Sequence, residues 1–277
     1  MKKLFKLLRL LLFLLILFII IIIIYGKYLG TDGLLLKEYD VISNKIPNSF
    51  NNKKIAHFGD ILYNDKDDLK FFDLLLEKIN SKEVDIIVFT GGLIDKNHKY
   101  KDTEINDIID RLNKLSAKYG KYYITSKVDK SNKSYDKIMQ ESGFISLDNN
   151  NITLLSENNE KILLCGLNYS PDINKLNELN KGSETIYKII MFHESNNIDN
   201  INDLNINLVL SSNYLYNQIN IPLIKRLFAV DYNKKYNKTH FEKYDYEVFL
   251  TSGIGTRKIN YRIFNKPSYN IYTLKNM

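Results

Sequence analysis

An apolar segment at the N-terminus constrains this chain more than any other feature. The run from Leu10 to Tyr25 contains no charged residue, and the flanking Arg9 and Lys27 can extend their charged groups toward water. The segment therefore approaches the roughly 20 residues that a helix needs to cross a bilayer. Four basic residues precede the run and one follows it. This asymmetry predicts a cytoplasmic N-terminus and an extracytoplasmic remainder.

A cleaved signal peptide is the competing interpretation of this segment. The apolar run is longer than an ordinary signal-peptide core, and no small-residue cleavage site stands near Gly26. We therefore predict an uncleaved, single-pass anchor in the cell membrane over residues 1–28. A linker is predicted over 29–52 and one continuous domain over 53–277.

The net charge of +7 does not indicate nucleic-acid binding once it is divided by region. Five of the 39 Lys and Arg residues lie in the anchor, whereas all 32 acidic residues lie beyond it, so the remainder carries only +2. No nucleic-acid partner is expected. The single cysteine, Cys165, excludes an intramolecular disulfide, and its apolar surroundings predict a buried side chain.

Strand and helix signals alternate in the first half of the predicted domain. The pattern predicts, in order, strand 54–58, helix 65–80, strand 85–90, helix 103–118 and strand 121–125. Six further strand-like runs follow. This order predicts an α/β sandwich with mixed sheets, whose chemistry collects on the loops that leave the carboxyl ends of the strands.

The predicted strand ends read FGDIL, FTGGLID, YITSKVDK, MFHESN, LVLSSNYLYNQINIP and LTSGIGTR. In that order they resemble the calcineurin-like metallophosphoesterases, specifically the membrane-anchored bacterial branch. The similarity runs from about Leu35 to Leu274. It implies a four-layer α/β/β/α sandwich with two mixed β-sheets.

The resemblance also implies a chemistry that can be checked position by position. Members of the family hold two divalent metal ions, such as manganese, zinc or iron, with aspartate, histidine and asparagine ligands. A bridging hydroxide attacks the phosphorus while the metals neutralise charge on the phosphoryl oxygens. Two cations a few Å apart repel each other, so anionic carboxylates are required among the ligands.

Most of the implied ligand positions carry other residues in this sequence. Two ligand types are retained, Asp60 and His193. Five ligand positions are replaced, namely Leu62, Gly92, Lys127, Asn213 and Leu215. In the segment Ser126–Asp129, which stands where the family has Gly-Asn-His-Asp, Val128 takes the place of the histidine that assists the leaving group. His57 lies upstream on its strand, so its side chain is expected to point away from the strand end.

Two ligands from two loops predict that no dinuclear cluster forms and that no cofactor is bound. The first alternative is a weak single-metal site formed by Asp60, His193 and Asn213. We also expect Lys127 to pair with Asp60 in the vacated pocket, each offsetting the desolvation of the other.

Three functional classes are therefore open. The first is a membrane-anchored pseudoenzyme that keeps a pocket for an anionic small molecule or lipid headgroup, with Lys127 and Arg257 as candidate contacts. The second is an active, metal-dependent phosphoesterase that hydrolyses a phosphate ester at the membrane surface. The third is a structural or interaction module, which a pocket sealed by residues 214–216 would favour.

Overall fold

The computed structural model describes residues 1–64, 68–96, 98, 101–212, 218–221, 235–236, 238–257 and 259–277. The chain begins with helix α1, Lys2–Ile24, which continues as a π-helical turn at Tyr25–Leu29. None of the residues of α1 is buried. Among the described residues, this is the one helix whose length and composition suffice to cross a membrane.

In the described part of the chain, twelve strands form two six-stranded sheets. The first sheet has the spatial order β1 (Leu35–Ile42), β12 (Ser268–Lys275), β2 (Lys54–Phe58), β3 (Ile86–Phe89), β4 (Lys121–Tyr123) and β5 (Phe144–Ser146). The second has the order β10 (His240–Lys243), β11 (Tyr246–Leu250), β9 (Leu208–Ser211), β8 (Tyr187–Phe192), β7 (Lys161–Gly166) and β6 (Asn150–Leu155). Both sheets are mixed, because the pairs β12–β2, β6–β7 and β10–β11 are antiparallel and the others are parallel.

Four further α-helices of the described residues cover the outer faces of these sheets. They are α2 (Asp68–Asn80), α3 (Asp102–Leu112), α4 (Tyr135–Glu141) and α5 (Ile173–Leu179). Helices α2, α3 and α4 share one apolar core with the outward side chains of the first sheet, and α5 shares another with the second sheet. A third core lies between the sheets.

Side-chain alternation along the strands assigns each residue to one of these cores. In β2, Ile55 faces the other sheet while Ala56 faces the helices, as expected for a period of two. In β7, Leu164 points between the sheets, whereas Cys165 points toward α5 and is fully buried. The predicted four-layer α/β/β/α sandwich and the burial of Cys165 are thus confirmed.

Two boundaries differ from the sequence prediction. The segment 29–52, predicted as a linker, contains β1, which pairs in parallel with β12 along its whole length. The sequence of this strand, LLKEYDVI, mixes polar and apolar residues and gives no clear strand signal. An edge strand with half-exposed faces needs few apolar residues. The helix predicted over 103–118 ends at Leu112, and the chain then turns through Asn113 toward β4.

Candidate functional site

The loops after β2, β3, β4 and β8 meet at one edge of the sandwich, where they form what we call the strand-end site. Its members are Asp60, Leu62, Gly92, Val128, Asp129 and His193. All six lie within a few residues of a strand's carboxyl end, as the sequence predicts. All six are buried.

Asp60 lies at the centre of this site and is held by its own backbone. Its amide donates to the carbonyl of Gly91 (2.8 Å), and its carbonyl accepts from the amides of Ile254 (3.1 Å) and Gly255 (2.8 Å). Its φ of 48° lies in the left-handed region that aspartate tolerates better than most residues. Loops from three strands therefore fix a carboxylate that is 1% exposed.

His193 faces this carboxylate directly. Its Nε2 lies 3.4 Å from Oδ1 of Asp60, and its Nδ1 donates to the carbonyl of Thr90 (2.8 Å). Burial alone lowers the pKa of His193, but the carboxylates of Asp60 and Glu194 and the Thr90 carbonyl together raise it above its ordinary value. The raised pKa is the direction that favours a protonated ring beside the Asp60 carboxylate.

Gly92 has no room for the carboxylate that the family resemblance implies at its position. A Cβ on Gly92 would lie 2.7 Å from Oδ1 and 2.9 Å from Cα of Asp60. Gly92 also has a φ of 78°, which side-chain-bearing residues seldom adopt. An acidic side chain at 92 would thus displace Asp60 from its present place.

We expect Gly92→Asp to destabilise the fold by about 2 kcal/mol more than a matched control, because it overpacks the site. The control is Gly182→Asp, since Gly182 has the same φ of 78° and no atom within 4 Å of its Cβ position. The measurement is the denaturant dependence of circular dichroism for both variants. Equal losses of unfolding free energy in the two variants would show that a carboxylate at position 92 fits beside that of Asp60.

Asp129 fastens the loop after β3 to the loop after β4. Its carboxylate accepts from the amides of Gly92 (2.7 Å) and Leu93 (2.9 Å) and from the hydroxyl of Ser126 (2.6 Å). Burial raises the pKa of Asp129, while these hydrogen bonds act in the opposite direction. The carboxylate of Asp129 is thus bound to groups of the protein itself, and its role is to hold the two loops together.

Two apolar side chains close the remaining space. Leu62 and Val128 form a small cluster of their own, separate from the main cores. The resemblance implies histidines at both positions. The backbone of Leu62 has a φ of 48°, in the left-handed region, and its amide donates to the carbonyl of Gly92 (2.9 Å).

The expected pairing of Lys127 with Asp60 is wrong. The Lys127 side chain is exposed, and no ion pair within 4.0 Å joins these two described residues. Its backbone amide lies 3.4 Å from the carboxylate of Glu194. The residues on either side of Lys127, Ser126 and Val128, are buried, whereas the side chain of Lys127 points to solvent. The basic side chain that faces Asp60 is that of His193.

The anion contacts predicted at Lys127 and Arg257 stay predictions. The two residues belong to different loops, and the amide of Arg257 donates to the side chain of Gln218 (3.0 Å). Asn213 and Leu215, together with Tyr214 and Tyr216, lie outside the described residues.

His57 points away from the strand-end site, as predicted. Its ring lies between the hydroxyl of Tyr272 (Nδ1, 3.0 Å) and that of Thr90 (Nε2, 2.9 Å). The hydroxyl of Thr90 is in turn bonded to that of Ser212. Burial lowers the pKa of His57 to about 3, so the ring is neutral and serves as a hydrogen-bond bridge between β12 and the loop after β3.

Sequence reasoning missed Arg262, the largest fully buried side chain of the described protein. Its guanidinium donates to the carbonyls of Gly255 (2.7 and 3.0 Å), Ser252 (3.1 Å) and Asn265 (3.1 Å). Burial lowers the pKa of Arg262 to about 9, and the nearby charge of Asp60 opposes the shift. No sequence signal marks this arginine, because it lies in a turn-rich segment without periodicity.

The described residues do not fit a two-metal centre. Among them, no group of three or more His, Cys, Asp or Glu side chains converges as a metal site. The ring nitrogen of His193 that would bind a metal faces Asp60. Asp60 interacts electrostatically with two basic residues of the protein, His193 and Arg262.

Known proteins similar to this chain share one description. No family model matches it. The uncharacterized metallophosphoesterase YkuE of Bacillus subtilis is 27% identical over 91% of this chain and 89% of its own length. YkoQ of the same organism is 22% identical over 69% of this chain and 73% of its own length, and a metallophosphoesterase of Helicobacter pylori is 29% identical over 59% and 43%.

The alignment with YkuE covers most of this chain and most of that protein. Four such relatives carry the metallophosphoesterase name, and the two-sheet architecture is the one that the resemblance implies. These relatives support the calcineurin-like metallophosphoesterase family that the strand ends resemble.

Proposed function

We propose that this chain is a membrane-anchored pseudoenzyme, a family member whose domain lies outside the cell and no longer hydrolyses phosphate esters. The observation that carries the proposal is the buried ion pair between His193 and Asp60. The family depends on divalent metals, and the two retained ligand types face each other here across 3.4 Å.

Charge balance supports loss of the metals. A two-metal site holds several positive charges and needs several carboxylates to offset them. Here Asp129 is committed to backbone amides and Asp60 already faces two cations of the protein. A further divalent cation at Asp60 would meet the positive His193 and Arg262, which makes its binding unfavourable.

Packing supports the same proposal. Leu62 and Val128 bury each other where the family places a ligand and a proton donor. Apolar side chains offer no lone pair to a metal and no proton to a leaving group. Catalysis would need both functions.

The location is part of the proposal. Helix α1 is long and apolar enough to span a bilayer, and the basic residues before it favour a cytoplasmic N-terminus. We expect the protein to remain attached to the cell membrane as a single-pass protein. An anionic small molecule or lipid headgroup is the ligand class we propose, with Lys127 and Arg257 as candidate contacts.

A single-metal phosphoesterase is the second candidate. Asp60 and His193 are the ligand types such a site would use, and they are adjacent. A metal could replace the proton of His193 if residues outside the described part of the chain, such as Asn213, completed the site. The same experiment separates the two candidates.

The test is metal content together with hydrolysis, using the full chain in detergent micelles. We expect less than one tightly bound manganese or zinc ion per chain, and no hydrolysis of a simple phosphodiester above the background of the variant His193→Gln. One or two bound ions that His193→Gln removes, accompanied by turnover, would establish the single-metal enzyme instead.

A further inference from the structure

The domain touches the end of the anchor helix directly. The segment 256–267, here called the junction loop, packs against the last turns of that helix through its described residues Arg262, Ile263 and Phe264. The amide of Arg262 donates to the carbonyl of Gly26 (2.9 Å), and a Cβ on Gly26 would lie only 2.8 Å from the side chain of Ile263. The ring of Phe264 lies 5.5 Å from that of Tyr25.

Large apolar side chains are exposed on both sides of this contact. On the helix, Tyr28 and Leu29 are 61% and 58% exposed, and on the junction loop Ile259 and Phe264 are 50% and 53% exposed. The other exposed apolar side chains of the described domain are scattered over separate strands, turns and helices. The surroundings of the helix exit are therefore unusual in this molecule.

The backbone of the junction loop holds these side chains outward. Phe264 has a φ of 52°, a left-handed conformation that costs a bulky residue free energy. The amide group of Gln218 donates to the carbonyls of Ile259 (2.9 Å) and Tyr261 (2.7 Å). The ring of Phe264 is 53% exposed although it lies beside that of Tyr25, so much of its apolar surface is open at the helix exit, which points to an external partner there.

The charge of this surface identifies the partner as a lipid bilayer. The junction loop, TRKINYRIFNKP, contains no acidic residue. Of its basic residues Arg262 is buried, whereas Arg257 and Lys266 are partly exposed, and Lys27 at the helix end is exposed. Basic, aromatic and aliphatic side chains at the end of a membrane helix are the composition that favours the bilayer interface, especially with anionic lipids. The anchor also places the loop at headgroup depth.

We propose that the junction loop inserts Ile259 and Phe264 into the outer interface of an anionic bilayer beside the anchor. This proposal rests on the membrane anchor of the proposed function. Two attachments, the helix and the loop, then fix the orientation of the domain instead of leaving it tethered by one point.

The same loop connects the bilayer to the strand-end site. Arg262 donates to the carbonyl of Gly255, whose amide donates to the carbonyl of Asp60. The site is therefore held close to the lipid headgroups, and a ligand at its entrance would be one that is present at the membrane surface.

The test is depth-dependent fluorescence quenching of single tryptophans. The chain has no tryptophan, so Ile259→Trp and Phe264→Trp each create the sole indole. The full-length variants are reconstituted in phosphatidylglycerol-containing vesicles whose acyl chains carry bromine near the glycerol end. Phe18→Trp, within the anchor, is the inserted reference, and Leu155→Trp, an exposed apolar position of the edge strand β6, is the matched solvent control.

We expect Ile259→Trp and Phe264→Trp to lose most of their emission in brominated vesicles, as Phe18→Trp does, while Leu155→Trp keeps its emission. Loop tryptophans that behave like Leu155→Trp while Phe18→Trp is quenched would overturn the junction-loop proposal and leave the anchor intact. If Phe18→Trp is also unquenched, the anchor itself is wrong and the proposal fails with it. Two loop positions protect the result against one variant that does not fold.

Discussion

Replacing His193 by glutamine should lower the free energy of unfolding by about 3 kcal/mol, because it removes one of the two positive groups near the buried carboxylate of Asp60. Glutamine keeps a polar side chain of similar reach, so most of the effect comes from the lost positive charge. The measurement is urea denaturation of the full chain in micelles, followed by the near-ultraviolet circular dichroism of its 20 tyrosines.

The pH of this measurement matters. The pKa of His193 is raised in the folded protein, so its contribution to stability is fully present below about pH 6.5 and is lost as the pH rises through the folded pKa. We therefore expect the largest difference between wild type and His193→Gln near pH 6. The difference should shrink as the pH increases.

Two controls make the interpretation specific. The Nε2 of His240 lies 2.9 Å from a carboxylate oxygen of Glu247, but these side chains are 41% and 24% exposed, so the loss of this contact in His240→Gln should cost about 1 kcal/mol or less. The double variant Asp60→Asn, His193→Gln should recover part of the loss, since it removes both buried charges.

The sign of the His193 effect separates a structural ion pair from a metal site. Catalytic sites are commonly strained, and removing one of their residues often stabilises the fold. A neutral or stabilising His193→Gln would therefore contradict the pseudoenzyme proposal and favour the single-metal enzyme. A large loss in metal-free protein would support an ion pair that has taken over the role of the metals.

The parts of the fold that the sequence predicted are those with a clear period. The apolar spacing of α2 and the continuous β-branched run of β3 follow from burial on one face and on two faces, respectively. Strand β1 was missed because an edge strand can alternate polar and apolar residues irregularly and still pair completely. The end of α3 was placed too late because the chain beyond Leu112 keeps burying apolar side chains, such as Leu115, without being helical.

The candidate site was predictable only as far as strand order allows. Asp60 and His193 follow buried strands that belong to different sheets, and a sandwich brings such ends together. The partner of Asp60 could not be read in the same way, because the direction of one side chain on a turn, as at Lys127, depends on backbone angles that leave no sequence period. The burial of Arg262 could not be predicted from the sequence either, because its partners are backbone carbonyl groups, which every residue has.

His57 leads to the second large effect, a loss of stability in acid. The pKa of His57 is lowered by burial to about 3, whereas an unfolded histidine titrates near 6.5. Above pH 6.5 the ring is neutral in both states and its contribution to stability is fully present. Below pH 6.5 the unfolded chain takes up a proton that the folded chain does not, so stability falls by about 1.4 kcal/mol per pH unit until the folded pKa is reached.

We expect the difference in unfolding free energy between wild type and His57→Gln to change by about 3 kcal/mol from pH 6.5 to pH 4, because the variant lacks this titration. Taking the difference cancels the carboxyl groups that both proteins share. Tyr272→Phe is the control: it removes the hydroxyl that contacts His57 (3.0 Å) but keeps the buried ring, so it should lower stability without changing the acid slope. Parallel curves for wild type and His57→Gln would mean that the ring already accepts a proton in the folded state. The ring that bridges the hydroxyls of Tyr272 and Thr90 would then be charged inside the folded domain.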